Sequence, residues 1–125
     1  MNNYKCFITI SNGTSKHLRF QKQEIPWGSF QEGPEQDIMP KTSKRAFVAS
    51  GNAGPAGTEG TVWYQFGDDA TKSITIYFDV PTNPFKDNIV TIATSDPNLL
   101  AVRSGFNGKG NVEECTVRVG WIGGE

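Results

Sequence analysis

A chain of 125 residues with 36% hydrophobic and 20% charged side chains has the size and composition of one globular domain with its own core. Twelve basic against thirteen acidic residues give a net charge of −1, without the basic footprint of a nucleic-acid binder or the polybasic route to anionic lipids. Apolar runs of three or four residues fall far short of the ~20 needed for a spanning helix, and two cysteines with one histidine fall short of the four ligands of a structural zinc site.

The start of the chain, Met1 to Ile8, lacks a basic region followed by an apolar core of about 7–15 residues. No secretory signal is therefore expected, and the localisation this implies is cytoplasmic synthesis with release or non-classical secretion. Fourteen glycines and seven prolines interrupt any helical stripe, and short alternating runs take its place. Tyr4 to Ile10 reads as a first strand, with Tyr4, Cys6, Ile8 and Ile10 on one face. Asn12-Gly13 predicts a hairpin turn. Asn12-Gly13-Thr14 also matches a glycosylation sequon, for which the turn is the better reading. Lys16 to Phe20 returns as a second strand carrying His17, the only histidine, between Lys16 and Arg19. A hydrolase built on His17 would need a serine partner to which nothing in the sequence points.

Ile25 to Phe30 is predicted as a turn-rich loop holding Trp27 and Phe30. Arg45 to Ser50 and Gly60 to Phe66 read as strands, joined by a connector with glycine at every third position: Gly51, Gly54, Gly57 and Gly60. No Lys-Ser/Thr and no helix follow these glycines, which removes the phosphate-loop and dinucleotide readings, and three triplets cannot hold a collagen helix. The expectation is a wide connection packed closely against neighbouring backbone, without chemistry of its own.

Gly67-Asp68-Asp69 predicts a turn, and Ser73 to Val80 a strand with Ile74, Ile76, Phe78 and Val80 facing one way and Thr75, Tyr77 and Asp79 the other. Pro81 to Asn88 is a loop around Phe85, Ile89 to Thr94 a strand, and Ala101 to Phe106 a short one. Asn107 to Asn111 turns the chain into a closing strand from Val112 to Ile122. The carboxylate pairs Asp68-Asp69 and Glu113-Glu114 do not converge, because adjacent strand residues face opposite ways, and are expected to be solvated. Cys6 and Cys115 sit in strand-like runs near opposite ends of the chain, as two buried free thiols or, alternatively, a disulfide. Short strands with a turn every ~8–12 residues make a single all-β domain over residues 1–125, a sandwich or barrel.

Fourteen aromatic residues are more than one core face takes up. Trp27 and Phe85 are expected to be exposed for contact, whereas Trp63 and Tyr77 either complete a core or face outward. Rings with a polar edge favour the membrane–water interface, and loop aromatics also build sugar sites.

Four stretches, in order, resemble the aegerolysin family. They are the strand Tyr4–Thr14 ending in Ser-Asn-Gly-Thr, the loop Ile25-Pro26-Trp27-Gly28-Ser29-Phe30, Phe47-Val48-Ala49-Ser50 through Gly57-Thr58-Glu59-Gly60-Thr61-Val62-Trp63-Tyr64, and Ile76-Tyr77-Phe78-Asp79-Val80-Pro81. Together they span roughly residues 4–94. At the position after Pro81 where fungal members carry tryptophan this chain has Thr82, and the nearest aromatic is Phe85. The resemblance implies a single-domain antiparallel β-sandwich, related in shape to actinoporins, that recognises membrane lipids, sphingolipid with or without sterol. It also implies that a larger partner protein forms the pore. Enzyme activity and cofactors are not expected.

On that basis the lipid-binding set is Trp27, Phe30, Trp63, Tyr77, Asp79 and Phe85. Trp27, Phe30 and Phe85 would insert at the interface, and Asp79 would meet a cationic choline or ethanolamine head that aromatic faces also attract. The alternative is a carbohydrate-binding lectin of related fold.

Overall fold

A computed structural model describes residues 4–51 and 57–123. Among them the chain forms ten strands in the order β1 (Tyr4–Asn12), β2 (Leu18–Trp27), β3 (Ser29–Glu32), β4 (Asp37–Ile38), β5 (Thr42–Gly51), β6 (Thr58–Phe66), β7 (Asp69–Val80), β8 (Ile89–Thr94), β9 (Leu99–Ser104) and β10 (Val112–Trp121). No helix of the described residues is long and apolar enough to cross a membrane. The strands make two five-stranded sheets, ordered β3-β5-β1-β10-β9 and β4-β2-β6-β7-β8. Their pairings are antiparallel except β1 with β10, which run parallel and join the two ends of the chain.

The period-2 alternation of the sequence fixes which side of each strand is buried. Cys6, Ile8 and Ile10 of β1, with Cys115, Val117 and Val119 of β10, face Val62, Tyr64 and Phe66 of β6 and Ile74, Ile76, Phe78 and Val80 of β7 across one continuous core. Trp63 and Tyr77 therefore lie on the outer face of the second sheet, each half-buried. Cys6 and Cys115 are free thiols, both buried. Burial pushes the Cys6 thiol up strongly and Cys115 to about 11, so both stay protonated and unreactive at neutral pH.

The Asn12-Gly13 turn departs from the expected hairpin. It carries the chain from one sheet to the other, since β1 pairs with β5 and β10 while β2 pairs with β4 and β6. The Asn12 side chain makes the crossing: its Nδ2 donates to the carbonyls of Lys16 at 2.8 Å and Ile38 at 3.0 Å, and its Oδ1 accepts from Thr14 N at 3.0 Å. Asn12 is 1% exposed, and its side chain is committed to this turn between sheets rather than presented as a sequon.

The segment read as a loop over Ile25–Phe30 is also different. β2 continues through it to Trp27 by way of register shifts on β6, a break in the ladder that accommodates the missing N–H of Pro26. Gly28, at φ 90°, then takes the chain across to β3 in the other sheet. A Cβ there would stand 2.4 Å from the Ser50 carbonyl, so the crossing needs glycine.

The glycine-rich connector is close-packed, as expected, wherever it is described. A Cβ on Gly51 would lie 2.1 Å from Gly57 O, and one on Gly57 would lie 1.9 Å from Val80 O. Residues 52–56, with Gly54, lie outside the described residues. Glu113 corrects a further expectation, for it is fully buried rather than solvated. Its carboxylate accepts from Asn107 N at 3.0 Å, Gly108 N at 2.8 Å and Asn88 Nδ2 at 3.1 Å, tying the 107–111 turn to the end of the Pro81–Asn88 loop.

Candidate functional site

The register of the second sheet sets three outward side chains abreast at one end: Trp27 of β2 is opposite Glu59 of β6, and Glu59 is opposite Asp79 of β7. Tyr77, one outward position along β7, donates a short hydrogen bond to the Glu59 carboxylate. Burial and then that bond hold the Tyr77 phenol well above its ordinary range, which keeps it a donor. Asp79 is also raised, chiefly by partial burial and then by the Glu59 carboxylate, while the Lys86 ammonium draws it down. Two carboxylates are thus held side by side in a partly dehydrated place, an arrangement that a cation relieves.

With the Pro81–Asn88 loop this row encloses a concavity of about 200 Å³, lined by Trp27, Glu59, Asp79, Pro81, Asn83 and Lys86 among others. A similar concavity of about 190 Å³, touching Tyr4, Pro84 and Asn111, lies on the other flank of the loop. The loop is braced at both ends. Asn83 Oδ1 accepts from Phe85 N at 2.9 Å, and Asn88 is buried, donating to Gly110 O at 3.0 Å and to Glu113. Phe85 stands off this frame 94% exposed, and Trp27 is 54% exposed.

Four of the residues singled out from the sequence, Trp27, Tyr77, Asp79 and Phe85, gather at this end. Trp63 shares the outer face but sits two outward positions from Glu59 along β6, with Lys22 Nζ 4.5 Å from its ring centroid. Phe30 is turned inward, edge-on to Phe47 at 5.4 Å and Phe78 at 6.3 Å between centroids, because β3 lies in the first sheet and directs its ring at the core. Glu59 and Lys86 were not singled out. Glu59 enters the sequence reading only within the Gly57–Tyr64 stretch that resembles the family, although its acidity in an otherwise apolar and glycine-rich run is a visible signal.

His17, at the other end of the sheet, has its ring Nδ1 2.8 Å and 2.9 Å from the two Asp37 carboxylate oxygens. Among the described residues no group of three or more His, Cys, Asp or Glu side chains is arranged to hold a metal ion.

The aegerolysin family model matches residues 5–122, beyond the 4–94 span of the visible resemblance. No curated protein matches the chain in sequence. In fold the chain is similar to the lipid-binding protein Nakanori, at a TM-score of 0.80 and 13% identity over 95% of this chain and 72% of that one. It is similar to IP-1A from Alcaligenes faecalis, at 0.72 and 18% identity over 98% and 94%. It is also similar to the Xerocomus chrysenteron lectin XCL, at 0.61 and 12% identity over 95% and 100%.

Proposed function

The chain belongs to the aegerolysin family, and from the end of the sandwich that carries Trp27 and Phe85 we propose that it is a non-enzymatic protein that binds membrane lipid. The observation that carries this is the Trp27–Glu59–Asp79 row beside Lys86, under an almost fully exposed Phe85. The two carboxylates and the rings of Trp27 and Tyr77 suit the cationic end of a choline or ethanolamine headgroup, and Lys86 suits its phosphate. Phe85 enters the interfacial layer, with Trp27 at headgroup depth. Nakanori, a lipid-binding protein of like fold, supports the same class of ligand.

The favoured lipids are sphingolipids, with or without sterol. In this reading, which rests on membership of the family, a larger partner protein makes the pore and this chain supplies its address on the membrane. Co-sedimentation with vesicles of sphingomyelin/cholesterol, ceramide phosphoethanolamine or phosphatidylcholine tests the proposal. Binding to none of them at micromolar protein sinks it.

The likeness to the lectin XCL favours a second reading, sugar binding at the same end. A glycan array with the parent and Trp27→Ala separates the two: binding to protein glycans that free sugar competes away and that Trp27→Ala abolishes supports the lectin.

A further inference from the structure

A second, wider concavity lies at the opposite end of the β6–β7 hairpin, about 25 Å from the Trp27–Asp79 row by strand rise. It measures about 610 Å³, and its lining includes Lys16, Arg19, Phe66, Asp68, Asp69 and Lys72. Its walls are fixed by bonds within the protein. Gly67 N donates to His17 O at 2.7 Å, Gln65 Nε2 to Gly67 O at 2.9 Å, Gln21 Nε2 to Ala70 O at 3.0 Å, and Thr71 N to Asp69 Oδ1 at 2.9 Å. The side chain of Lys16 runs beside Gly67, where a Cβ would lie 3.7 Å from it.

The ion pairs in this cleft are loose, although Asp69 Oδ1 is held by Thr71 and Lys72 Nζ lies 5.2 Å from the Trp121 ring centroid. Arg19 reaches Asp68 only at 3.5 Å, with Asp68 94% exposed, and Lys72 reaches Asp69 at 3.7 Å. Exposed pairs of this kind hold their partners weakly, so an incoming group competes with them. His17 is engaged by Asp37. The Lys16 ammonium has no ion-pair partner among the described residues, which leaves three cations facing two carboxylates in a chain whose net charge is −1. A few hundred Å³ is the size of a small-molecule site. Here Phe66 is part of the lining, and the charged side chains around it offer donors for an anion and acceptors for hydroxyl groups.

We propose that this cleft binds a small polyhydroxylated monoanion, a sugar carrying one carboxylate or one sulfate. Lys16 and Arg19 take the anionic group, and Asp68 and Asp69 accept from the hydroxyls. The site is independent of the lipid-binding proposal. A protein seated on a membrane through Phe85 presents this cleft away from it.

The test is a heteronuclear NMR titration of the full chain with N-acetylneuraminic acid, glucuronate and galactose 6-sulfate, against neutral galactose, acetate and inorganic sulfate. Saturable shifts confined to residues 15–19 and 66–72 are expected for at least one anionic sugar. Galactose and the simple anions should bind at least about tenfold more weakly, and Lys16→Ala or Arg19→Ala should weaken the sugar about tenfold. Both side chains are exposed, so the variants keep the fold and bind vesicles as the parent does. Shifts elsewhere, no saturation, equal binding of galactose, or equal binding of acetate and sulfate would each overturn the proposal.

Discussion

Replacing Phe85 with alanine separates membrane contact from folding. At 94% exposure the ring buries almost nothing in the free protein, so its removal leaves the core and the thermal midpoint unchanged. Whatever the ring contributes, it contributes against something outside the chain. Full burial of a phenylalanine is worth about 1.5–3 kcal/mol, and about 2 kcal/mol corresponds to roughly a 30-fold change in vesicle partitioning. The matching control is Ile122, 66% exposed and next to Trp121, whose ring stacks on Phe66 at the far end of the sandwich. Co-sedimentation with sphingomyelin/cholesterol vesicles should show about a 30-fold loss for Phe85→Ala and no loss for Ile122→Ala. Parental affinity in Phe85→Ala, or equal losses in both variants, would refute insertion through the Pro81–Asn88 loop.

Glu113→Ala leaves the amides of Asn107 and Gly108 and the Asn88 side chain without their acceptor, and should destabilise the protein by about 3–5 kcal/mol in urea titration. Gly57→Ala drives a Cβ to 1.9 Å from a backbone carbonyl and should lose about 3 kcal/mol or more, whereas Gly120→Ala, with open space around it, stays within about 0.5 kcal/mol by the same measurement. Asp79 is raised in the fold, so its charged form opposes folding: the penalty is absent below the ordinary carboxylate value and present once pH passes the raised one. Asp79→Asn should therefore be slightly more stable than the parent at neutral pH, by less than about 1 kcal/mol because the site is half open to water, with the difference vanishing below about pH 4. The same substitution should weaken binding to choline-headgroup vesicles at neutral pH, and parental binding should fall as acid protonates Asp79.

Most of the strands were legible because alternation is a local property. Val62, Tyr64 and Phe66 against Ile74, Ile76 and Phe78 declare their buried side wherever the strand pairs. What alternation does not declare is the partner. Asn12-Gly13 has the chemistry of a hairpin turn, yet the Asn12 side chain finds carbonyls of residues 16, 38 and 39 and spends its hydrogen bonds on a crossing between sheets. Pro26 and Gly28 likewise read as loop, because the register shifts that let β2 carry a proline depend on β6, more than thirty residues away. The buried Glu113 was hidden for the same reason: its three donors come from two other segments.

The site depended on register more than on residue type. Counting back from the pairing next to the Gly67-Asp68 turn, Phe66 with Asp69, would set Glu59 opposite the inward Ile76. Alternation forbids that, and three extra residues of β7 beside Gln65/Phe66 shift Glu59 to Asp79. The glycine ladder then has a consequence beyond packing. Gly57 lies too close to Val80, and Gly60 to Glu24 and Phe78, for any side chain, so the start of β6 is seated tightly between β2 and the end of β7. Glu59, between those two glycines, is thereby held in line with Trp27 and Asp79. The same close seating places Asp79 beside Glu59 in partial burial, which raises it, so the packing of the ladder and the proposed cation site share one backbone arrangement.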